Sequence, residues 1–407
     1  MMFGLVNIPF VLGSLSSTVL AANSNPFLFN PGFDIAKVAD LAESIPSHSW
    51  EYGAAAEALL ELYDPAISVF GRSPFPVPTV QKEDVKALSY AADRIIIGTG
   101  PDALSKGDGA VGDPASLGVS AILLGKTNQT FADAAVEQLN FVVDSAPRYS
   151  NGAISHRVDV PELWADFVYM APPFIAYYAA DTNNASLLYE TVKQCGYYRE
   201  VLQADLDTSY RGIWHHIIGP QSQDLGLWST GNGWAAGGMA RVLATVMKAP
   251  VARLAGWRRE AIDNLTQWIK EIVDGAIGSP TDAGLLRNYL DDETTGHGFG
   301  EVAGTSMIAS VIYRMAVLQP RTFGAEYIKW ADDVRTLLGG NDAEGNPHVT
   351  DSGIVTPAVN PLNWYDTNPL TTGSPEGQGF VVLMYAAWRD CILAGKCKRR
   401  GSRIYQV

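Results

Sequence analysis

An all-α fold, an (α/α)6 barrel of six helical hairpins, is what this chain predicts, and three observations carry the prediction. Six times a Gly-, Ser- or Asp-bearing loop opens into an apolar helix that a more amphipathic one follows. The loops sit near Trp50, Asp113, Asp166, Ser229, Gly300 and Gly377, and their spacing suits one hairpin plus its connections. Strand signals are sparse. Small residues crowd the first helix of each pair, and small faces let helices approach closely in an inner ring. An open solenoid of helical pairs is the structural alternative, disfavoured because the array has six units and no obvious capping repeat.

The elements follow in order. Met1 to Ala21 is an apolar stretch ending in small residues, read as a signal peptide, with residues 22–407 forming a single catalytic domain. The first inner helix opens at Trp50-Glu-Tyr and carries Ala54-Ala55-Ala56; the second opens at Asp113, with Asp133 to Val143 as its outer partner. The third lies in ELWADFVYMAPPFIAYY, where Leu163, Phe167 and Met170 recur at helical spacing. The fourth carries Ala235-Ala236-Gly237-Gly238, and Trp257 to Asp274 alternates charge with apolar residues as an outer helix should. The fifth has Ala303-Gly304 and Ala309, and the sixth opens at SPEGQGF.

Composition narrows the function. A chain of 407 residues with 47% hydrophobic and 18% charged residues can bury a large core and is too apolar for disorder. A net charge of −14 argues against nucleic acid, since phosphate binding draws on clustered Lys and Arg. Beyond the N-terminal stretch no segment reaches the ~18 consecutive apolar residues of a membrane span, so no membrane partner is expected. Sequons at Asn128, Asn184 and Asn264 fit an extracellular destination and N-glycans. The three cysteines, Cys195, Cys391 and Cys397, offer no disulfide framework and no thiolate metal site. Cys391 and Cys397 are close enough to pair locally, which would leave Cys195 a spare buried thiol.

Asp166 is the most informative residue, an acid inside an aromatic and apolar segment. A carboxylic acid short of water keeps its proton to higher pH and can act as a general acid. An acid at a helix N-terminus that satisfies free N–H groups is the structural alternative. In a barrel of this kind the loops leading into the inner helices share one mouth, so polar and aromatic residues near them carry functional weight. Asp113, followed by Pro114, fits a helix cap as well as a site. Arg157, beside His156, is a source of the positive charge that an acidic protein needs to hold an acidic saccharide.

The pattern of Trp164, Asp166, Tyr169, Met170 and Pro173-Phe174 resembles the W-x-D-x-x-Y-M-x-x-P-F segment of unsaturated rhamnogalacturonyl hydrolases, glycoside hydrolase family 105, and of the family 88 unsaturated glucuronyl hydrolases. The resemblance runs from about Trp50 to Tyr385. It implies the same barrel, Asp166 as catalytic acid and base, and Asp113 as a second active-site aspartate. It further implies substrate roles for Trp50 and Tyr52 in SWEYG, His156, Trp164, His216 in RGIWHHII, and Trp228 and Trp234 in LWSTGNGWAAGGM. Indole faces stack on the C–H surface of a pyranose ring. Bacterial members commonly have an arginine two residues after the first tryptophan, where this chain has Thr230. A substrate carboxylate would then fall to neutral donors, Thr230 and Asn232 with backbone N–H groups, or to Arg157.

The implied reaction is hydration of a vinyl ether: removal of a 4,5-unsaturated uronic acid from the non-reducing end of a lyase-generated oligosaccharide, with no metal or organic cofactor. Two other readings stand beside it. One is an inverting glycosidase that uses Asp113 and Asp166 on a saturated sugar; the other is a carbohydrate-binding protein without catalysis.

Overall fold

Caps and breakers written into the sequence set the helix boundaries in the computed structural model, which describes residues 25–204 and 210–398. The segment expected to be a signal peptide lies outside those residues. Helix α1 (Ile35–Ser44) starts behind Asp34, whose carboxylate accepts from the Lys37 amide. Helix α2 (Ser49–Tyr63) opens with Glu51 reaching back to the His48 amide at 3.0 Å. Helix α3 (Lys86–Arg94) is its amphipathic partner. The short α4 (Gly112–Ala115) and α5 (Gly118–Gly125) form the second inner segment, and α6 (Gln129–Asn140), capped by Asn128, returns along it.

Consecutive prolines interrupt the third inner segment, because proline lacks an N–H and fits best at a helix start. Helix α7 (Phe167–Met170) therefore ends just before Pro172, which begins α8 (Pro172–Asp181). Helix α9 (Ala185–Leu202) follows behind an Asn184 cap. The remaining pairs are α10 (Ser229–Lys248) with α11 (Arg258–Gly278), and α12 (Val302–Leu318) with α13 (Ala325–Leu338); α14 (Pro375–Leu393) comes last.

The inner segments close a ring. Helix α2 touches α4, α4 touches α7, α7 and α8 touch α10, α10 touches α12, α12 touches α14, and α14 returns to α2. Close approach depends on small residues: a Cβ on Gly238 of α10 would lie 2.0 Å from the Val168 carbonyl oxygen, and one on Gly118 would lie 2.2 Å from the Phe174 ring. Helices α3, α6, α9, α11 and α13 lie outside as expected, each against its own inner partner. The sixth pair differs from the expectation. No outer helix follows α14 among the described residues; α1 packs on it instead, so the N-terminal helix completes the last hairpin.

The N-terminal ends of the inner helices share one mouth. Trp50 at the start of α2 reaches Glu376 at the start of α14, and Ser229 at the start of α10 reaches Glu301 ahead of α12. Toward the other end, buried charges bridge the helices. Arg241 of α10 pairs with Glu57 and Glu61 of α2, and Arg314 of α12 pairs with Glu61 and with Asp390 of α14. The local disulfide left open by the sequence is present, joining Cys391 to Cys397, while Cys195 is a buried free thiol. No helix among the described residues is long and apolar enough to cross a membrane.

Candidate active site

A two-residue ribbon sets the geometry of the mouth. Strand β1 (Leu163–Trp164) pairs antiparallel with β2 (Ile217–Ile218), in the register Leu163 to Ile218 and Trp164 to Ile217. The Ala165 amide continues it by donating to the His216 carbonyl at 2.9 Å. Residues some fifty positions apart are thereby locked side by side. Asp166, one residue past the ribbon, takes the N-cap position of α7 without capping through its side chain. Its carboxylate is thus left for the mouth, where 14% of the side chain remains exposed.

His216 meets that carboxylate. Its Nε2 lies 3.3 Å from Asp166 Oδ2, and its Nδ1 lies 2.9 Å from Asp224 Oδ2. Asp224 is itself anchored, accepting from the Tyr289 hydroxyl at 2.8 Å and from the Gly226 amide at 2.9 Å. Indole rings of Trp228, Trp364 and Trp164 surround the imidazole with centroids 4.4, 5.1 and 5.6 Å away. Burial alone would lower the His216 pKa, but the Asp166 and Asp224 carboxylates outweigh it and raise it above the ordinary histidine value. Burial likewise works to raise Asp224, and hydrogen bonding with His216, the Gly226 amide and Tyr289 brings it below the ordinary aspartate value.

Asp113, at the start of α4, keeps different company. Its Oδ1 lies 3.7 Å from His156 Nε2. Burial and the neighbouring Asp166 charge push its carboxyl up to about 8, against the lowering pull of Arg157. His156 stacks on Trp164, with centroids 4.8 Å apart, and burial takes it down to about 3, so it is neutral at physiological pH. The mouth therefore holds a protonated Asp113 beside a neutral histidine, and Asp166 beside a histidine inclined to be charged. Arg157 is half-buried at the same rim, with Nη2 3.4 Å from the Asp108 carbonyl.

The structure brings Trp50, His156, Arg157, Trp164, His216 and Trp228 to this end of the barrel with the two aspartates. Four other residues expected at the substrate stand elsewhere. Tyr52, two positions and so about 200° around the helix from Trp50, lies under the Arg94 guanidinium of the outer helix α3. Thr230 is fully buried and donates to Glu301 Oε1 at 3.2 Å, so the carboxylate it serves is an internal one. Asn232 spends its side chain on the Trp214 amide and on the Trp214 and Trp228 carbonyls. Trp234 is fully buried between Tyr169 and Phe380. The polar spacing of STGNG, which points to a ligand, instead satisfies backbone and carboxylate groups where α10 and α12 meet.

Several site residues escaped sequence reasoning. Trp364, on the long connection between α13 and α14, lays its ring against His216, Trp164 and Trp228. An aromatic pair in the otherwise polar NWYDTNP was its only signal. Asn288 fixes Trp228 by accepting from its indole N–H at 2.8 Å and ties down the Trp364 carbonyl at 3.1 Å. Glu162 holds Trp164, accepting from its indole N–H at 2.8 Å, while the Gln221 and Ser222 amides occupy its other oxygen. Asp224 carried no signal at all, because a lone aspartate in a polar loop is ordinary.

A closed ring of six helical hairpins, with paired aspartates and tryptophans where the inner helices begin, defines a helical-barrel glycoside hydrolase. Comparison with known proteins agrees: the description Glycosyl Hydrolase Family 88 matches residues 114–389, and the chain belongs to that family. It is 24% identical over 281 residues to the unsaturated rhamnogalacturonyl hydrolase YesR of Bacillus subtilis, covering 67% of this chain and 75% of YesR. A possible family 105 member from Salmonella enterica superposes with a TM-score of 0.65 at 15% identity, over 88% of this chain and 93% of that one. A family 105 glycoside hydrolase from C. acetobutylicum gives 0.63 at 16% identity, over 88% and 99%.

Proposed function

We propose that this glycoside hydrolase removes a 4,5-unsaturated uronic acid from the non-reducing end of lyase-generated oligosaccharides by hydrating its vinyl ether, with Asp166 as acid and base. The observation that carries the reading is the placing of Asp166: its carboxylate is partly exposed at the mouth, leaves its own helix uncapped, and faces His216. The acid gives its proton to C4 of the sugar. The cation that forms at C5, stabilised by the ring oxygen, takes a water molecule whose proton returns to Asp166. The resulting hemiketal opens and releases the remaining saccharide, so no attack at the anomeric carbon is needed.

In this scheme Asp113, protonated near neutrality, donates a hydrogen bond to the sugar or to the incoming water. Arg157 is the side chain that would meet the substrate carboxylate, since Thr230 and Asn232 are committed within the protein. Trp164 and Trp364, both partly exposed, supply apolar faces for the ring, with Trp228 buried behind them against His216. The protonated Asp113 near Asp166 is also the pairing an inverting glycosidase would use on a saturated sugar. Ultraviolet absorbance of the conjugated uronate separates the two: it falls during vinyl-ether hydration and stays constant in the rival reaction. Asp166→Asn is expected to slow that fall by about 100- to 10,000-fold with the melting temperature kept. A folded variant with parental rates removes Asp166 from the mechanism.

Secretion and N-glycosylation belong to the same proposal. Asn128 and Asn184 are exposed at helix N-caps, where a glycan has room, and Asn264 lies partly exposed on α11. The Cys391–Cys397 disulfide suits an oxidising compartment.

A further inference from the structure

We propose that Asp224 is a positioning residue for the reaction: acting through His216, it holds the imidazole with Nδ1 protonated and with a charged Nε2–H turned toward the Asp166 carboxylate. The inference rests on the functional reading above and assigns a part to a residue outside it.

The geometry is that of a carboxylate pinned behind the imidazole. Asp224 lies on a tight loop whose ends are zipped by reciprocal backbone bonds between Ile217 and Asp224, at 2.8 and 3.0 Å. The same fold-back lets the His216 amide donate to the Gly226 carbonyl at 3.0 Å, so histidine and aspartate are held opposite each other by backbone. Both oxygens of Asp224 are used, Oδ1 by the Gly226 amide and Oδ2 by His216 Nδ1 and the Tyr289 hydroxyl. An acceptor pinned in this way accepts from Nδ1–H, which decides the tautomer and directs Nε2 at the partner on the other side. That partner is Asp166 Oδ2 at 3.3 Å, and neither atom has a hydrogen-bond partner of its own.

The charged groups facing the imidazole are Asp166 at the start of α7 and Asp224 on the loop, with Tyr289 and Tyr365 behind Asp224 and neutral His156 across Asp166. The Asp224 carboxylate behind it and the indole rings around it favour the imidazolium, and the Asp166 carboxylate adds to this once that acid has given up its proton. When Asp166 has passed its proton to C4, the carboxylate left behind faces an N–H already in place. It is stabilised through the interval until water attacks C5 and returns a proton to it. His216 neither gains nor loses a proton over the cycle. Its charge makes Asp166 the stronger acid in the first step, and Asp224 maintains that charge.

Asp224→Asn and Tyr289→Phe test this, with kinetics on an unsaturated disaccharide and nitrogen-15 histidine resonances recorded against pH. In Asp224→Asn, kcat is expected to fall at least about 10-fold with KM little changed, and the His216 titration midpoint to move down by more than about one pH unit. Parental kcat in the folded variant overturns the proposal, and so does a loss of kcat with the His216 midpoint unmoved, which would make Asp224 merely structural. Should Asp224→Asn not fold, Tyr289→Phe decides: removing one donor from Asp224 must move the His216 midpoint, and an unmoved midpoint overturns the link. If the parent enzyme leaves unsaturated uronides intact, the functional reading fails on its own, while the histidine titration still reports on the Asp224–His216 pair.

Discussion

Two histidines at the mouth, each a few ångströms from an aspartate, are drawn in opposite directions by what stands behind them. Behind His216 is a second carboxylate, Asp224, and behind His156 is an indole ring. The first histidine is drawn toward charge and the second away from it, so Asp113 finds no cation there to offset its burial. A consequence for stability follows from the sign of that shift. Asp113 is pushed from 3.8 to about 8 in the folded protein. Between those values the folded state holds a proton that the unfolded state has released, so this contribution is complete below 3.8 and is lost as pH rises through 8. Asp113→Asn, neutral throughout, should therefore gain on the parent as pH climbs, and the difference in melting temperature between them should widen from pH 4 to pH 9. A difference that stays constant with pH would show that Asp113 titrates like a surface aspartate.

At the scale of the element, α10 shows how far a motif can mislead about direction. Its first turn, STGNGW, has the polar and aromatic make-up of a sugar site, yet every one of its side chains is buried. The hydroxyls of Ser229 and Thr230 go to Glu301, the carboxylate that also caps α12 through the Ala303 and Gly304 amides. Trp234 faces the centre of the barrel, edge-on to Phe380 with centroids 4.4 Å apart. Trp234→Ala is thus expected to lose ~3–5 kcal/mol of stability, as large-to-small core changes do. Chemical denaturation would measure the loss, and KM in the folded fraction should remain parental. A changed KM with unchanged stability would return Trp234 to the substrate.

The whole molecule depends on closing a ring, and charge helps to close it at the end away from the mouth. Glu61 receives guanidinium groups from both Arg241 and Arg314, which tie α2 to α10 and α12, and Arg314 goes on to Asp390 of α14. Glu61, Arg241 and Arg314 are almost fully buried, and removing one member of such a network leaves charge without compensation. Glu61→Ala should cost ~3–5 kcal/mol in unfolding free energy, read from denaturant midpoints, while kcat/KM at low temperature stays near the parental value. If stability is unaffected, the network is not what holds the ring shut.

The helical class, the inner and outer alternation and the place of the mouth were legible in the sequence, because each depends on local rules: apolar period, small-residue faces, caps and prolines. Asp166 and Asp113 drew notice for the related reason that they stand at helix starts, whereas His156 and His216 lie in the loops between helices and were singled out by motif resemblance alone. The sequence alone did not determine which residues around them face a ligand. Tyr52, Thr230, Asn232 and Trp234 turned into the protein because of helix phase and the demands of buried neighbours, none of which is local. Trp364 and Asn288 came to the site from distant loops and Asp224 from the fold-back just beyond His216, brought there by backbone pairing and by a barrel whose last hairpin is completed by its first helix. Side-chain type is a property of the chain, whereas direction, partner and protonation state depend on what is packed alongside, and only the tertiary structure decides that.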